Sequence, residues 1–190
     1  MTSEKALKHL IEGNARYVAE TSSWMPRVSR RLRKDLLTKG QNPYAAIVGC
    51  SDSRAPMELI FDAGLGELFI IRTAGNVVGN IGLGSLEYAI EVLKTPLIVV
   101  MGHQQCGAVR AAIAGGKFST SMQAVIDEIC LCSDKDICTC DPEEIENKNI
   151  LHTLSRIAAN TNISKAVEEG RVKLAAAKYS LETGIVTFFD

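Results

Sequence analysis

Three short apolar runs limit what this chain can fold into. They are Ala45-Ala46-Ile47-Val48-Gly49, Leu68-Phe69-Ile70-Ile71 and Pro96-Leu97-Ile98-Val99-Val100-Met101. A strand with one wet face alternates apolar and polar residues. A run that is apolar at every position and rich in branched side chains suits a strand covered on both faces. Between the second and third runs, Leu83, Leu86, Ile90 and Leu93 recur on one face of a crossover helix. Strands alternating with helices predict an α/β fold, with a mainly parallel β-sheet core flanked by helices.

The flanking segments read as helices and then a hairpin. Residues 4–20 carry Leu7, Leu10, Ile11 and Val18 near helical spacing, with Thr2 or Ser3 as the cap. A second helix is expected over Val28–Lys39, stopped by Gly40. The basic run from Arg27 to Lys34 is read as the solvated face of that helix, in preference to a phosphate-binding patch, because Leu32, Leu36 and Leu37 supply an apolar side. Beyond Ile113 the pattern is mostly helical, through Asn149–Ala158 and Ser164–Glu169. Val172–Tyr179, a turn at Glu182-Thr183-Gly184, and Ile185–Phe189 predict a C-terminal β-hairpin. The chain is read as one domain, 1–190. It divides into an N-terminal helical arm (1–40), an α/β core (41–115), a helical region (116–170) with a Cys-rich insert (130–140), and C-terminal strands (171–190).

A net charge of -1 gives no general attraction to nucleic acid or membrane surfaces, so neither is expected as a partner. The longest apolar stretch, near Pro96–Met101, is far too short to span a bilayer. Met1-Thr2-Ser3-Glu4-Lys5 lacks the apolar core of a signal peptide. A cytoplasmic location is therefore expected. In that reducing compartment the six cysteines read as free thiols or metal ligands rather than structural disulfides.

Two polar segments follow two of the apolar runs. Cys50-Ser51-Asp52-Ser53-Arg54 follows the first, and His103-Gln104-Gln105-Cys106-Gly107 follows the third. Ligands gather at the carboxyl ends of strands in open parallel sheets. Thiolate and imidazole are the donors that tetrahedral zinc prefers, so Cys50, His103 and Cys106 are candidate ligands of one Zn2+. Gly49 and Gly102, just before the ligands, are expected to let the backbone turn tightly and the walls approach.

The fourth position separates two readings. Asp52 could close the site as a structural Cys-Asp-His-Cys clip, or water could fill an exchangeable position. Arg54 lies two residues on, and in an extended segment alternate side chains share a face. A guanidinium gripping the Asp52 carboxylate would hold it off the metal and keep it ionised, ready to accept a hydrogen bond from that water.

Cys130-Leu131-Cys132 and Cys138-Thr139-Cys140 form two further Cys-x-Cys pairs among acidic residues. Four thiolates could hold a second soft metal, or the pairs could form a redox-labile disulfide site; otherwise they are thiols in a variable surface segment.

The paired motifs around Cys50 and His103 resemble those of the β-class carbonic anhydrases. The resemblance extends to Leu10-Ile11-Glu12-Gly13-Asn14-Ala15-Arg16-Tyr17, to Ile71-Arg72-Thr73-Ala74-Gly75-Asn76, and to the ending Lys178-Tyr179-Ser180-Leu181-Glu182-Thr183-Gly184-Ile185-Val186. It implies Cys50, His103 and Cys106 as zinc ligands and Asp52 with Arg54 as the catalytic dyad. It implies a homodimer or homotetramer, with N-terminal helices packing on a partner subunit. It also implies a substrate-binding glutamine at Gln41, reaching across the subunit interface in many members. Some members bind regulatory bicarbonate beside a tryptophan three residues before the first cysteine; here that residue is Ile47, so this regulation is not expected. Thr73 stands where asparagine is common in the family.

The implied activity is that of a zinc lyase, the reversible hydration of carbon dioxide to bicarbonate and a proton by zinc-bound hydroxide. Two thiolates cancel the ion's formal charge, so the rate is expected to rise toward alkaline pH. The alternatives are a carbon disulfide or carbonyl sulfide hydrolase on the same scaffold, and a non-catalytic zinc or redox sensor. No proton shuttle is assigned; His9 and His152 read as surface residues.

Overall fold

A computed structural model describes residues 1–22 and 27–189; residues 23–26, inside the N-terminal arm, and the last residue lie outside the described residues. The three apolar runs become β1 (Ala45–Cys50), β2 (Leu68–Thr73) and β3 (Leu97–His103). With β4 (Lys173–Tyr179) and β5 (Val186–Phe188) they form one sheet in the order β2-β1-β3-β4-β5. The first four strands are parallel, and β5 closes the predicted antiparallel hairpin with Ala177 opposite Phe188 and Tyr179 opposite Val186.

β1 and β3 are buried at every residue, as an unbroken apolar run requires. Their side chains alternate between two layers. Ala45, Ile47, Leu97, Val99 and Met101 pack with α1 (Ser3–Val18) and the short α3 (Met57–Ile60). Ala46, Val48, Ile98 and Val100 pack with α4 (Asn80–Glu91), α7 (Pro142–Ala158) and α8 (Thr161–Glu168). β2 departs from the expectation of full burial: it is the sheet edge, and all six of its residues are half-buried.

The other helices are α2 (Arg30–Lys39), α5 (Gly107–Ala114) and α6 (Thr120–Cys130). Ser29 caps α2, and Gly40 ends it with φ 75°, a conformation that favours glycine. Leu36 packs beside Gly66, but Leu37 is 86% exposed and belongs to the solvated face.

The inward face of α1 also differs from the apolar stripe read from its sequence. Ala6, Leu10, Gly13 and Asn14 are buried, while Ile11 and Val18 are exposed. Small and polar residues make this contact because the helix comes close to backbone. A Cβ on Gly13 would lie 2.0 Å from the Phe61 carbonyl oxygen. Asn14 Nδ2 donates to the carbonyls of Ile60 (3.2 Å) and Gly184 (2.8 Å), and its Oδ1 accepts from Val186 N–H (2.9 Å). Arg16 pairs with the buried Asp62 at 2.5 Å, and the Tyr17 and Tyr179 hydroxyls meet at 3.2 Å. The motif from Leu10 to Tyr17 thus ties the first helix to the last hairpin.

Candidate metal centre

The sheet order places β1 beside β3, so the segments after both strands meet at one end of the sheet. There the chain leaves β1 toward β2 on one side while β3 lies on the other, the kind of crevice in which α/β folds place ligands. Cys50 is the last residue of β1, His103 the last of β3, and Cys106 the residue before α5. All three are buried, and their donor atoms lie within 4.8 Å of one another. Among the described residues, the four cysteines at 130–140 do not form such a group.

Each donor is fixed by its surroundings. His103 Nδ1 lies 2.9 Å from the Gln104 carbonyl oxygen, which can only accept, so the proton sits on Nδ1. Nε2 is left with its lone pair, buried and without a hydrogen-bond partner. A buried acceptor without a donor is costly unless a cation satisfies it, and this is the state of a metal-ligating histidine. Gln105, at φ 55°, turns the chain so that Cys106 comes back toward His103. The Cys50 and Cys106 sulfurs are 3.9 Å apart. The hydrogen bond from Cys106 holds the Cys50 thiol well below its ordinary range, against the opposing effect of burial. The same bond, together with burial, pushes Cys106 up. Two sulfurs sharing one proton beside a free imidazole nitrogen is an arrangement in which a cation can take the proton's place. The donor set fits tetrahedral zinc with one position left over.

The glycines before the ligands do not turn the chain, because neither Gly49 nor Gly102 has a positive φ. They make room. A Cβ on Gly49 would meet Met57 Cε at 1.9 Å, and one on Gly102 would meet Ile150 at 2.5 Å. The walls approach as expected, with the strands extended up to the ligands.

Asp52 and Arg54 do form the expected pair, by a different route. The segment is a turn, not an extended strand: Ala55 N–H donates to the Asp52 carbonyl at 3.1 Å and Arg54 N–H to Asp52 Oδ1 at 2.9 Å. Arg54 Nε and Nη2 then reach the two carboxylate oxygens at 3.0 and 2.7 Å. These Arg54 hydrogen bonds hold the Asp52 carboxyl well below the usual range, although burial opposes them. Asp52 Oδ2 lies 3.8 Å from His103 Nε2, beside the donor group. An open cleft of about 570 Å³, lined by Arg54, Gln104, Gln105, Tyr179, Leu181 and Glu182, lies on the Arg54 side of the dyad.

Other groups support the centre without appearing in its short motifs. Arg72 donates to the carbonyls of Cys50 (2.9 Å) and Asp52 (2.5 Å), bracing the first motif. Thr73 Oγ1 donates to the Val77 carbonyl at 2.6 Å, so threonine keeps that turn satisfied. Glu146, 5% exposed, accepts from Cys106 N–H at 3.2 Å and pairs with Lys178 at 2.9 Å. Gln41 is exposed and precedes β1, at the opposite end of that strand from Cys50.

Comparison with known proteins agrees with this geometry. The carbonic anhydrase family model matches residues 45–186. Carbonic anhydrase 2 of Mycobacterium tuberculosis is 39% identical over 97% of this chain and 92% of its own length. The solved structure of the β-carbonic anhydrase CcaA superposes with a TM-score of 0.73 at 26% identity, covering 97% of this chain and 95% of that one. A tetrameric β-carbonic anhydrase from Sordaria macrospora shares the fold, with a TM-score of 0.73 at 23% identity over 84% of this chain and 87% of that one. A buried Cys-His-Cys donor set at the end of a parallel sheet, a family model spanning both motifs and a close relative over nearly the whole length lead to one assignment: the chain belongs to the β-class carbonic anhydrase family.

Proposed function

We propose that this chain hydrates carbon dioxide reversibly, with Cys50, His103 and Cys106 holding zinc and with Asp52 and Arg54 as the catalytic dyad. The observation that carries this reading is the bidentate grip of Arg54 on Asp52. It keeps both carboxylate oxygens occupied next to a three-donor group, so an ion held there would keep a fourth position for solvent. Zinc bound there would lower the pKa of water and make hydroxide available near neutral pH. Asp52, kept ionised by Arg54, would accept a hydrogen bond from a solvent nucleophile at that position and so orient it toward carbon dioxide. Arg72 and Glu146 keep the ligand-bearing backbone in place.

Asp52 does not supply the pH dependence. Its folded value lies below its unfolded value near 3.9, so its contribution to stability is fully present above that value and is lost as pH falls through the folded one. Across the neutral range the dyad is constant, and the rate should rise toward alkaline pH as the nucleophile loses its proton. Stopped-flow carbon dioxide hydration on zinc-loaded protein tests this. A rate that is flat from mildly acidic to alkaline pH, or no turnover, would overturn it.

The active form is a homodimer or homotetramer of single-domain chains acting in the cytoplasm. The half-buried edge strand β2 and the outward Ile11, Val18, Ile81 and Tyr88 supply apolar surface for a second copy. No described helix is long and apolar enough to cross a membrane. Gln41 contributes to the substrate pocket of a partner.

A further inference from the structure

Carbon dioxide hydration makes no use of the four cysteines between 130 and 140. Cys130 is the last residue of α6, and Cys132 follows in the turn, its N–H donating to the Ile129 carbonyl at 3.1 Å. The chain then folds back. Asp136 caps a short 3₁₀ helix, Ile137–Thr139, by accepting from Cys138 N–H at 3.1 Å, and Cys140 N–H donates to the Ile137 carbonyl at 3.1 Å. Ile137 is buried in one apolar cluster with Val109, Ala112, Ile126 and Ile129, and Cys130, Cys132 and Cys140 pack against that same cluster. The fold therefore brings Cys140 of the second pair onto the apolar cluster that also holds Cys130 and Cys132, with the exposed Cys138 two residues before it.

We propose that Cys130, Cys132, Cys138 and Cys140 bind a second thiophilic closed-shell cation of the zinc or cadmium kind, as a staple between the end of α6 and the start of α7. Four thiolates would complete a tetrahedral shell with no open position, which is a structural and not a catalytic site. Uptake releases the thiol protons to solvent and moves no electrons. Among the described residues the four sulfurs do not form one donor group; Cys130, Cys132 and Cys140 are half-buried and Cys138 is exposed, so their side chains would have to rotate to converge on one ion. The Asp136 carboxylate, held by the Cys138 N–H, sets a negative group beside the second pair, which favours a cation there.

The test uses freshly reduced, zinc-loaded full chain titrated with cadmium. Total metal per chain is counted by elemental analysis, and thiolate-to-cadmium charge transfer is followed by absorption. Counting both metals makes exchange at the first centre harmless. The wild type should reach two ions per chain and its melting temperature should rise. The double variant Cys138→Ser, Cys140→Ser should stop at one ion, with no such rise and with unchanged carbon dioxide hydration. One ion per chain in the reduced wild type, or an equal second uptake by the variant, overturns the proposal. Loss of thiols to air oxidation without metal uptake also overturns it and assigns the cluster to redox chemistry. Hydration measured on the same samples reports separately on the catalytic reading.

Discussion

At the scale of single residues, the Asp52 carboxylate is the balance point between an open and a closed centre. It stands 3.8 Å from His103 Nε2, near enough to reach an ion held there, and only Arg54 turns both of its oxygens away. Asp52→Asn should keep the metal, because the three donors are untouched, and should lose roughly 10²-fold in turnover, in the range for removing a positioned proton-transfer or electrostatic group. Arg54→Ala should act differently. The freed carboxylate would close the ion, and in cobalt-substituted protein the absorption spectrum would stop responding to pH. Metal content, turnover and that spectrum together separate the two; full turnover in Asp52→Asn would remove the dyad from the mechanism. The three donors and the dyad are legible in sequence because each motif packs its groups into five residues after an apolar run. Glu146 was not legible: it lies 40 residues from Cys106 and makes its contact through a backbone N–H, which leaves no pattern in side-chain spacing.

At the scale of elements, the strands were readable and the first helix was readable only in part. An apolar run reports burial directly, so β1 and β3 fell where expected. Only the edge position of β2 was hidden, because strand order is not written in any one strand. The docking face of α1 is legible at Leu7 and Leu10, which pack on the core, and not at Ile11 and Val18; where the helix approaches backbone, Gly13 and Asn14 complete the face and hydrophobicity gives no signal. Gly13 allows the two effects to be weighed. Alanine in a helix interior gains about 1 kcal/mol over glycine. At this position the added Cβ would sit 2.0 Å from the Phe61 carbonyl oxygen, which belongs to backbone and cannot rotate away. Overpacking of this kind costs about 1–3 kcal/mol, so the clash wins. Gly13→Ala should lower the urea midpoint while leaving the zinc stoichiometry unchanged. An unchanged or higher midpoint would mean that the contact between α1 and α3 is looser than described.

At the scale of the whole molecule, the position of Gln41 bears on whether one chain can form a complete site. Gln41 precedes β1 and the donor group follows it, so the strand alone separates them by roughly 16 Å at about 3.3 Å per residue. No rotamer of Gln41 spans that distance, so a role in the substrate pocket requires a second copy to deliver it. Complementation between two defective chains tests this. Gln41→Ala retains the metal group and lacks the glutamine, while Cys50→Ser lacks a ligand and retains the glutamine. In a mixed dimer, one site would combine the intact metal group of the first chain with the glutamine of the second and should recover activity; the other site would have neither. Co-expressed chains should therefore exceed the turnover expected from averaging the two parent proteins. If mixed dimers are present by mass and turnover does not exceed that average, Gln41 is a surface residue at the turn before Pro43, and each chain builds its pocket from its own side chains.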